Sequence, residues 1–572
     1  MMHGLSRNLK LRACIGSTAG LIGSVLLVST FRNLPLALAL AVAVGTFYGL
    51  VYRPAPRAYL ESLMTGATLG VPLWTCLSVV ALPVIAGSGP QWTADAMRIL
   101  FPQLVGWVLF GSALGLLAQS GNDAALRWME PLPVTEDVLQ KNPHKILIVG
   151  GGFAGMTAAE NLEQVFGPDP TVSFTLVSEG NAMLFTPMLA EVAGGSLEPS
   201  HISAPLRTSL RRTAVVRGRV VKLDLERRCV LLEADHLESD SPTHARDEIF
   251  YDELVLALGA VSNYLGLEGV RTTAFDFKTL LDAIRIRNHV IDLFERAERE
   301  ADPVRRRQML TFVIAGGGFA GVEIAGALND FARGILVDYP RIELDDLQIV
   351  LVHSRNRILP ELSETLGRYA LDQLRDRGVT FELEARVVDA QPGKVMLTSK
   401  EIATETLIWT AGTAPHPLLK ELPFRLERKG AVLVDATLQV KGQSDIWALG
   451  DCASVINAET GQTCPPTAQF ALREARTLAR NLHAKQKGRS LTAFHFNSLG
   501  ALCVLGHQTA CAEIVVPYAN RVLRFSGPFA WMLWRGIYLS KLPGLERKVR
   551  VLVDWSVELF FPRDIVQTID LK

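Results

Sequence analysis

ILIVGGGFAGMTAAENL (146–162) and FVIAGGGFAGVEIAGAL (312–328) are two copies of one pattern, 166 residues apart. Each copy has an aliphatic run before its glycines and a helix-like run after them. That is the strand–turn–helix setting in which GxGxxG has a physical meaning. The first glycine (Gly150, Gly316) permits the tight turn, and the second (Gly152, Gly318) lets backbone approach a pyrophosphate. The third (Gly155, Gly321) lets helix and strand pack, with the helix N-terminus facing the phosphates. Two such motifs in tandem point to two dinucleotides on one protein. The chemistry that uses such a pair is hydride transfer between a nicotinamide and a flavin.

The 572 residues carry 58 Lys+Arg and 58 Asp+Glu, so no net charge argues for a nucleic-acid partner. Mean hydropathy is +0.22, high for a soluble enzyme, and the excess lies at the N-terminal end. No acidic residue precedes Glu61. Four apolar stretches, 13–31, 33–52, 63–87 and 99–120, each have the length that spans a bilayer. A cleaved signal peptide accounts for one of them at best. Each carries a GxxxG pair: Gly16/Gly20, Gly45/Gly49, Gly66/Gly70 and Gly111/Gly115. Four of four predicts a compact helix bundle in lipid.

Basic residues set the orientation. Arg7, Lys10, Arg12, Arg53, Arg57, Arg127, Lys141 and Lys145 fall on one side, and Arg32 and Arg98 on the other. The richer side faces the cytoplasm by the positive-inside rule. The expectation is therefore a multi-pass protein of the cytoplasmic membrane with its catalytic region in the cytoplasm. These four stretches contain no ionisable residue, and the sole His before position 144 is His3. Neither haem ligands nor a proton path is supplied, so the bundle reads as an anchor.

The segment 130–144 is a polar, proline-containing linker, after which strand-like and helix-like segments alternate as in α/β folds. TVSFTLVSEGN ends its strand at Glu179, 24 residues beyond Gly155, near the spacing at which an acid grips a ribose hydroxyl. YDELVLALGA (251–260) ends in a turn at Gly259. The second nucleotide unit is inserted in the first, which resumes near TLIWTAGTAP (406–415) and ends its last strand at Gly450-Asp451. The expected organisation is a four-helix membrane domain (1–125), a linker (126–144), an FAD domain in two parts (145–305, 406–485) around an NAD(P) domain (306–405), and a membrane-associating C-terminal region (486–572).

These pieces carry a resemblance. GGGFAG, NAMLFTPMLAEVAGGSLEPSHISAPLR, LALGA, GGGFAGVEIAG, IWTAGTAP, ALGDCA, PPTAQFALREA and WRGIYLSKLPG, in that order, resemble the type II NADH dehydrogenases, NADH:quinone oxidoreductases with FAD. The resemblance covers roughly 425 residues and leaves out the N-terminal spans. It implies FAD at Gly150, Gly152, Gly155, Glu179, Gly259 and Asp451, with Thr186-Pro187 and Ala468-Gln469 around the isoalloxazine. It implies NAD(P)H at Gly316, Gly318 and Gly321, with Ala411-Gly412 lining that site and Glu323 near the nicotinamide. A first-turn helix dipole is the rival account of Glu323. Gln469 and Lys541 are the remaining catalytic candidates, Lys541 reaching flavin or quinone unless it is a snorkelling surface lysine.

Two departures stand out. The strand LQIVLVHSRNRILPEL ends in His353-Ser354-Arg355, where NADH use expects an acid. Arg355 is placed to pair with a 2′-phosphate, so NADPH is a candidate donor beside NADH. Arg473 stands where the family often has a glutamine beside the quinone. Seven cysteines without a CxxC argue against disulfide reductases, and the gap between Cys229 and Cys452 argues against sulfide:quinone reductases. No metal-ligand cluster appears.

In ERKVRVLVDWSVELFF, Val549, Leu552, Val553, Val557, Phe560 and Phe561 recur at helical spacing behind Arg547, Lys548 and Arg550. This predicts a helix lying in the lipid interface; packing on the enzyme's core or on a second copy in a homodimer is the alternative. The function expected is hydride transfer from NAD(P)H to FAD and two electrons onward to a membrane quinone, without proton pumping. The alternatives are a nucleotide-responsive sensor controlling the bundle, or an oxidoreductase with another acceptor.

Overall fold

The computed structural model describes residues 2–28, 34–52, 59–91, 94–128, 143–233, 248–516 and 521–567. The predicted linker lies almost wholly outside them. So do Arg32, Arg53, Arg57 and Lys141, and the side chains of Arg7, Lys10, Arg98 and Arg127, on which the charge bias rests. The chain forms two compact units, Met1–Leu139 and Gln140–Lys572.

The larger unit holds two five-stranded parallel sheets. The first has the order Ile446–Ala448, Glu253–Leu256, His144–Val149, Val172–Ser178, Thr213–Arg217. The second has the order Phe275–Asp276, Thr406–Trp409, Thr311–Ala315, Gln348–His353, Val379–Leu383. Their central strands are buried on both faces, as covered parallel sheets require. Each fingerprint joins a central strand to a helix, Phe153–Phe166 or Phe319–Ile335.

The insertion is present, but its edges differ from the sequence reading. Thr406–Trp409 does not resume the first sheet; it pairs with Thr311–Ala315 in the second, Phe312 opposite Thr406. Phe275–Asp276, upstream of 306, belongs there too. The chain crosses between the units on an antiparallel ribbon of Ala260–Ser262 and Thr413–Pro415. It rejoins the first sheet only at Ile446–Ala448. TLIW is apolar on both faces and fits the middle of either parallel sheet, so its composition does not say which.

C-terminal to these, Gly500–Val504, Ala510–Val516 and Arg521–Ser526 form an antiparallel sheet, followed by helices Gly527–Lys541 and Leu545–Phe560. The last helix has two apolar faces. Val551 and Trp555 are buried in the core, while Val549, Leu552, Val553, Val557, Phe560 and Phe561 are exposed.

In the smaller unit, Leu34–Val51, Tyr59–Ile85 and Ile99–Ala125 are long and apolar enough to cross a bilayer among the described residues. The first helix, Met2–Val28, has a shorter apolar stretch, Leu11–Leu27, in place of the expected 13–31. The glycines form two seams. A Cβ on Gly16 or Gly20 would strike the carbonyl of Gly45 or Ala41, and one on Gly66 or Gly115 the carbonyl of Gly111 or Ser62. The stretches 13–31, 33–52, 63–87 and 99–120 hold no Asp, Glu, Lys, Arg or His. The last apolar stretch runs on past Ser120 and takes in Asp123, which is buried and accepts from Gln119 Nε2 at 2.9 Å. Ser62 Oγ donates to Gln119 Oε1 at 2.7 Å.

Candidate cofactor and acceptor site

The first cradle is built on Gly150, whose φ of +115° is left-handed and whose N–H donates to Val177 O at 2.8 Å. A Cβ there would meet the Ala257 carbonyl, and one on Gly155 the Gly150 carbonyl, so both contacts require glycine. Gly152 caps the helix, and its Cα and that of Gly259 face open space. Glu179 is the residue after the strand Val172–Ser178, exposed, 3.6 Å from Arg219 Nε. Asp451 follows Gly450 (φ +71°) in a short 3-10 turn. Burial raises its carboxyl, and Lys278 counters that.

The second cradle repeats the first. Gly316 has φ +119°, Gly321 packs on the Gly316 carbonyl, and Gly318 caps the helix. Thr410 Oγ1 donates to Ala315 O at 2.8 Å beside this turn. Ala411 and Gly412 follow it, and Gly412 O accepts from Asn263 N at 3.0 Å. His353 fills the space beneath the loop and accepts the Gly317 N–H on Nδ1 at 3.0 Å, with burial holding its pKa down. Nε2 therefore carries the proton when the ring is neutral. Arg355 lies exposed beyond the strand.

Glu323 occupies the second turn of Phe319–Ile335, not the first, so the helix-dipole account of it fails. Burial pushes its carboxyl up to about 8, against the pull of the Val504 N–H (3.4 Å) and the Trp534 indole. Thr186-Pro187 form a 3-10 turn, and Ala468-Gln469 start the helix Ala468–Gln486. The Gln469 amide is spent on the neighbouring loop, donating to Ser498 Oγ (3.1 Å) and Gly500 O (3.3 Å). Arg473 lies one turn further on, its guanidinium 5.0 Å from the Phe496 ring centre. Lys541 ends its helix; burial lowers its pKa first and the Arg473 charge second.

Several groups escaped the sequence reading. Lys278 donates from Nζ to Ala260 O at 2.8 Å, and the Asp451 charge acts on it. Glu474, pushed up to about 7 by burial, accepts the Gly450 N–H at 2.7 Å and fixes the turn that carries Asp451. Glu361 Oε1 lies 3.8 Å from where a Cβ on Gly318 would stand. Beyond the turn at Pro187, Glu191 accepts from Trp555 Nε1 at 3.1 Å. Arg535 lies 3.8 Å from Glu191 and 2.7 Å from Glu558, its guanidinium over the rings of Trp531 and Trp555. Burial pushes Glu558 up, but hydrogen bonds from His507 and Ser196 and the cations Arg563 and Arg535 outweigh it and hold the carboxyl down at about 2. Glu191, Glu361, Glu474 and Arg535 stand inside stretches quoted from the sequence, but their roles depend on contacts distant in it.

Residues 144–475 match the family model described as pyridine nucleotide-disulphide oxidoreductase, and 499–564 match the NDH2 C-terminal domain. A probable NADH dehydrogenase of Dictyostelium discoideum is 30% identical over 428 residues, covering 74% of this chain and 90% of that protein. A type II NADH:quinone oxidoreductase of Mycobacterium tuberculosis is 29% identical, covering 73% and 89%. The fold matches that of NDH2 from Plasmodium falciparum in complex with NADH, with TM-score 0.67, 20% identity, 74% of this chain and all of that one. Across both nucleotide units and the C-terminal region, the chain belongs to the type II NADH dehydrogenase family.

Proposed function

We propose that the chain is a membrane-held FAD enzyme that oxidises NADH, and through Arg355 also NADPH, and reduces a quinone without moving protons across the membrane. The observation that carries this reading is the pair of glycine cradles in one unit of a chain of this family. FAD fits the first cradle. Gly150 and Gly155 are closed to any side chain, Gly152 and Gly259 open on space for a pyrophosphate, and the half-buried Asp451 has a cation, Lys278, set against it. When bound, the flavin takes hydride from the nicotinamide and returns two electrons to the acceptor.

In this reading Glu179 accepts ribose hydroxyls and Asp451 the ribityl or pyrophosphate end. Pro187 and Ala468 wall the ring system, and Gly316, Gly318, Gly321, Ala411 and Gly412 hold the nicotinamide nucleotide. Glu323 keeps its proton at neutral pH and donates a hydrogen bond beside the nicotinamide. Gln469 and Lys541 border the acceptor. Positioning rather than a general base lowers the barrier. The exposed apolar face of the last helix lies in the lipid interface from which quinone enters. The distribution of Lys and Arg supports a cytoplasmic catalytic unit.

The test is anaerobic addition of NADH or NADPH to the purified flavoprotein, followed by a short-chain quinone. Bleaching of the flavin band by NADH and recovery on quinone are expected. Bleaching without recovery would exclude quinone as acceptor, and no bleaching would exclude the dehydrogenase. Proton uptake into liposomes during turnover would exclude the non-pumping mechanism.

A further inference from the structure

The last helix, Leu545–Phe560, exposes Val549, Leu552, Val553, Val557 and Phe560 on its outer face and fastens its inner face to the segment 191–203. Arg547 donates from Nε to Ser203 O, and Asp554 Oδ2 lies 2.6 Å from His201 Nδ1. Trp555 Nε1 donates to Glu191 at 3.1 Å, and Glu558 accepts from Ser196 Oγ at 2.7 Å. Residues 547, 554, 555 and 558 recur at helical spacing and so form one stripe. Their partners belong to a stretch that starts in the helix Leu189–Ala193, directly after the turn Thr186–Met188.

Glu558 gathers two further pieces of the fold. Arg535 Nη2 donates to it at 2.7 Å and lies 3.8 Å from Glu191. That guanidinium is held 3.8 Å from the Trp531 ring centre and 4.6 Å from that of Trp555. Arg563 donates to Glu558 at 3.1 Å and to Ala327 O, on the second fingerprint helix, at 3.4 Å. The Arg535 and Glu558 side chains are only 11% and 7% exposed. A buried pair repays its desolvation only in good geometry, and so fixes position more surely than it adds stability.

We infer that Glu558 is a positioning residue for the acceptor half of the reaction. Through Ser196 it ties the turn at Thr186-Pro187 to the helix proposed to lie in lipid. The wall of the ring system and the surface that an acceptor crosses from lipid then keep one geometry. This rests on the proposed reading of that turn and that helix. Hydride transfer from NADH draws on the glycine cradles and does not use the tie.

The test uses the full-length protein in phosphatidylcholine–phosphatidylglycerol liposomes. Glu558→Gln strands two arginines, so the gentler Ser196→Ala and His201→Gln, which cut one tie each, carry the measurement. Ser556→Ala, exposed on the same helix, is the control. Stopped-flow reduction of the flavin by NADH should stay within about twofold of wild type, and kcat likewise. The KM for a decyl-tailed ubiquinone should rise about fivefold in both variants, the worth of one hydrogen bond. Amide hydrogen exchange, read on the substrate-free protein, should quicken about threefold across 186–188, well away from either substitution. An unchanged KM, or a parallel loss in both half-reactions, overturns the positioning role. So does exchange that quickens at 194–203 and not at 186–188. Quickened exchange at 186–188, in a protein whose wild type is reoxidised by no quinone, leaves the tie standing and overturns the quinone reading.

Discussion

Glu323 shows how position alone sets a side chain's chemistry. Half-buried one turn inside the second fingerprint helix, its carboxyl is pushed up to about 8 by desolvation in the folded chain and has the ordinary carboxylate value when unfolded. Its folded pKa is raised, so its contribution to stability is full below the unfolded value and is lost as pH rises through about 8. Glu323→Gln, which keeps a hydrogen-bond donor and removes the titration, should abolish the alkaline fall in NADH turnover and raise the melting temperature relative to wild type at pH 9. An unchanged alkaline limb assigns that limb elsewhere. Arg355 supports a second prediction. Arg355→Ala should lower kcat/KM for NADPH about tenfold, the loss of one charge-assisted pair, and leave NADH within about twofold. The missing acid at the strand end was legible in the sequence. That His353 takes the Gly317 N–H, locking loop to strand, was not, because 36 residues separate the two.

Among elements, the glycine patterns were the most legible feature of the chain, since turn, close approach and packing each exclude a side chain. The GxxxG pairs held for the same reason. Gly111→Ile would drive its side chain into the Gly66 backbone and part the two helices. In detergent, the onset of thermal aggregation should fall by several degrees. Gly334→Ala, where nothing lies within 4 Å, should leave it unchanged or raise it, in line with the ~0.5–1 kcal/mol gained on replacing a helical glycine. Equal onsets in the two variants would deny the seam its role. Strand assignment was weaker. Apolar four-residue strands such as TLIW show burial but not which sheet they enter, and hydrogen-bond register alone settles that. The polar residues Gly121, Asn122 and Asp123 end the apolar stretch 99–120 but not the helix, which continues through them to Trp128.

At the scale of the molecule, the helix bundle and the family match fall in different units. The family match begins at residue 144, and the smaller unit ends at Leu139. Removal of the residues before Glu130 should leave NADH–quinone turnover within about twofold when the protein is bound to liposomes, because the last helix keeps its own exposed apolar face. Loss of flavin reduction by NADH in that variant would tie the bundle to the chemistry. The bundle's architecture also bears on its biosynthesis. Each glycine seam joins helices that are consecutive in the chain or separated by one short bend, so each hairpin closes at small loop-entropy cost. The first pair is complete before the second has been translated. The two hairpins can therefore close one after the other, before any residue of the family match has been translated.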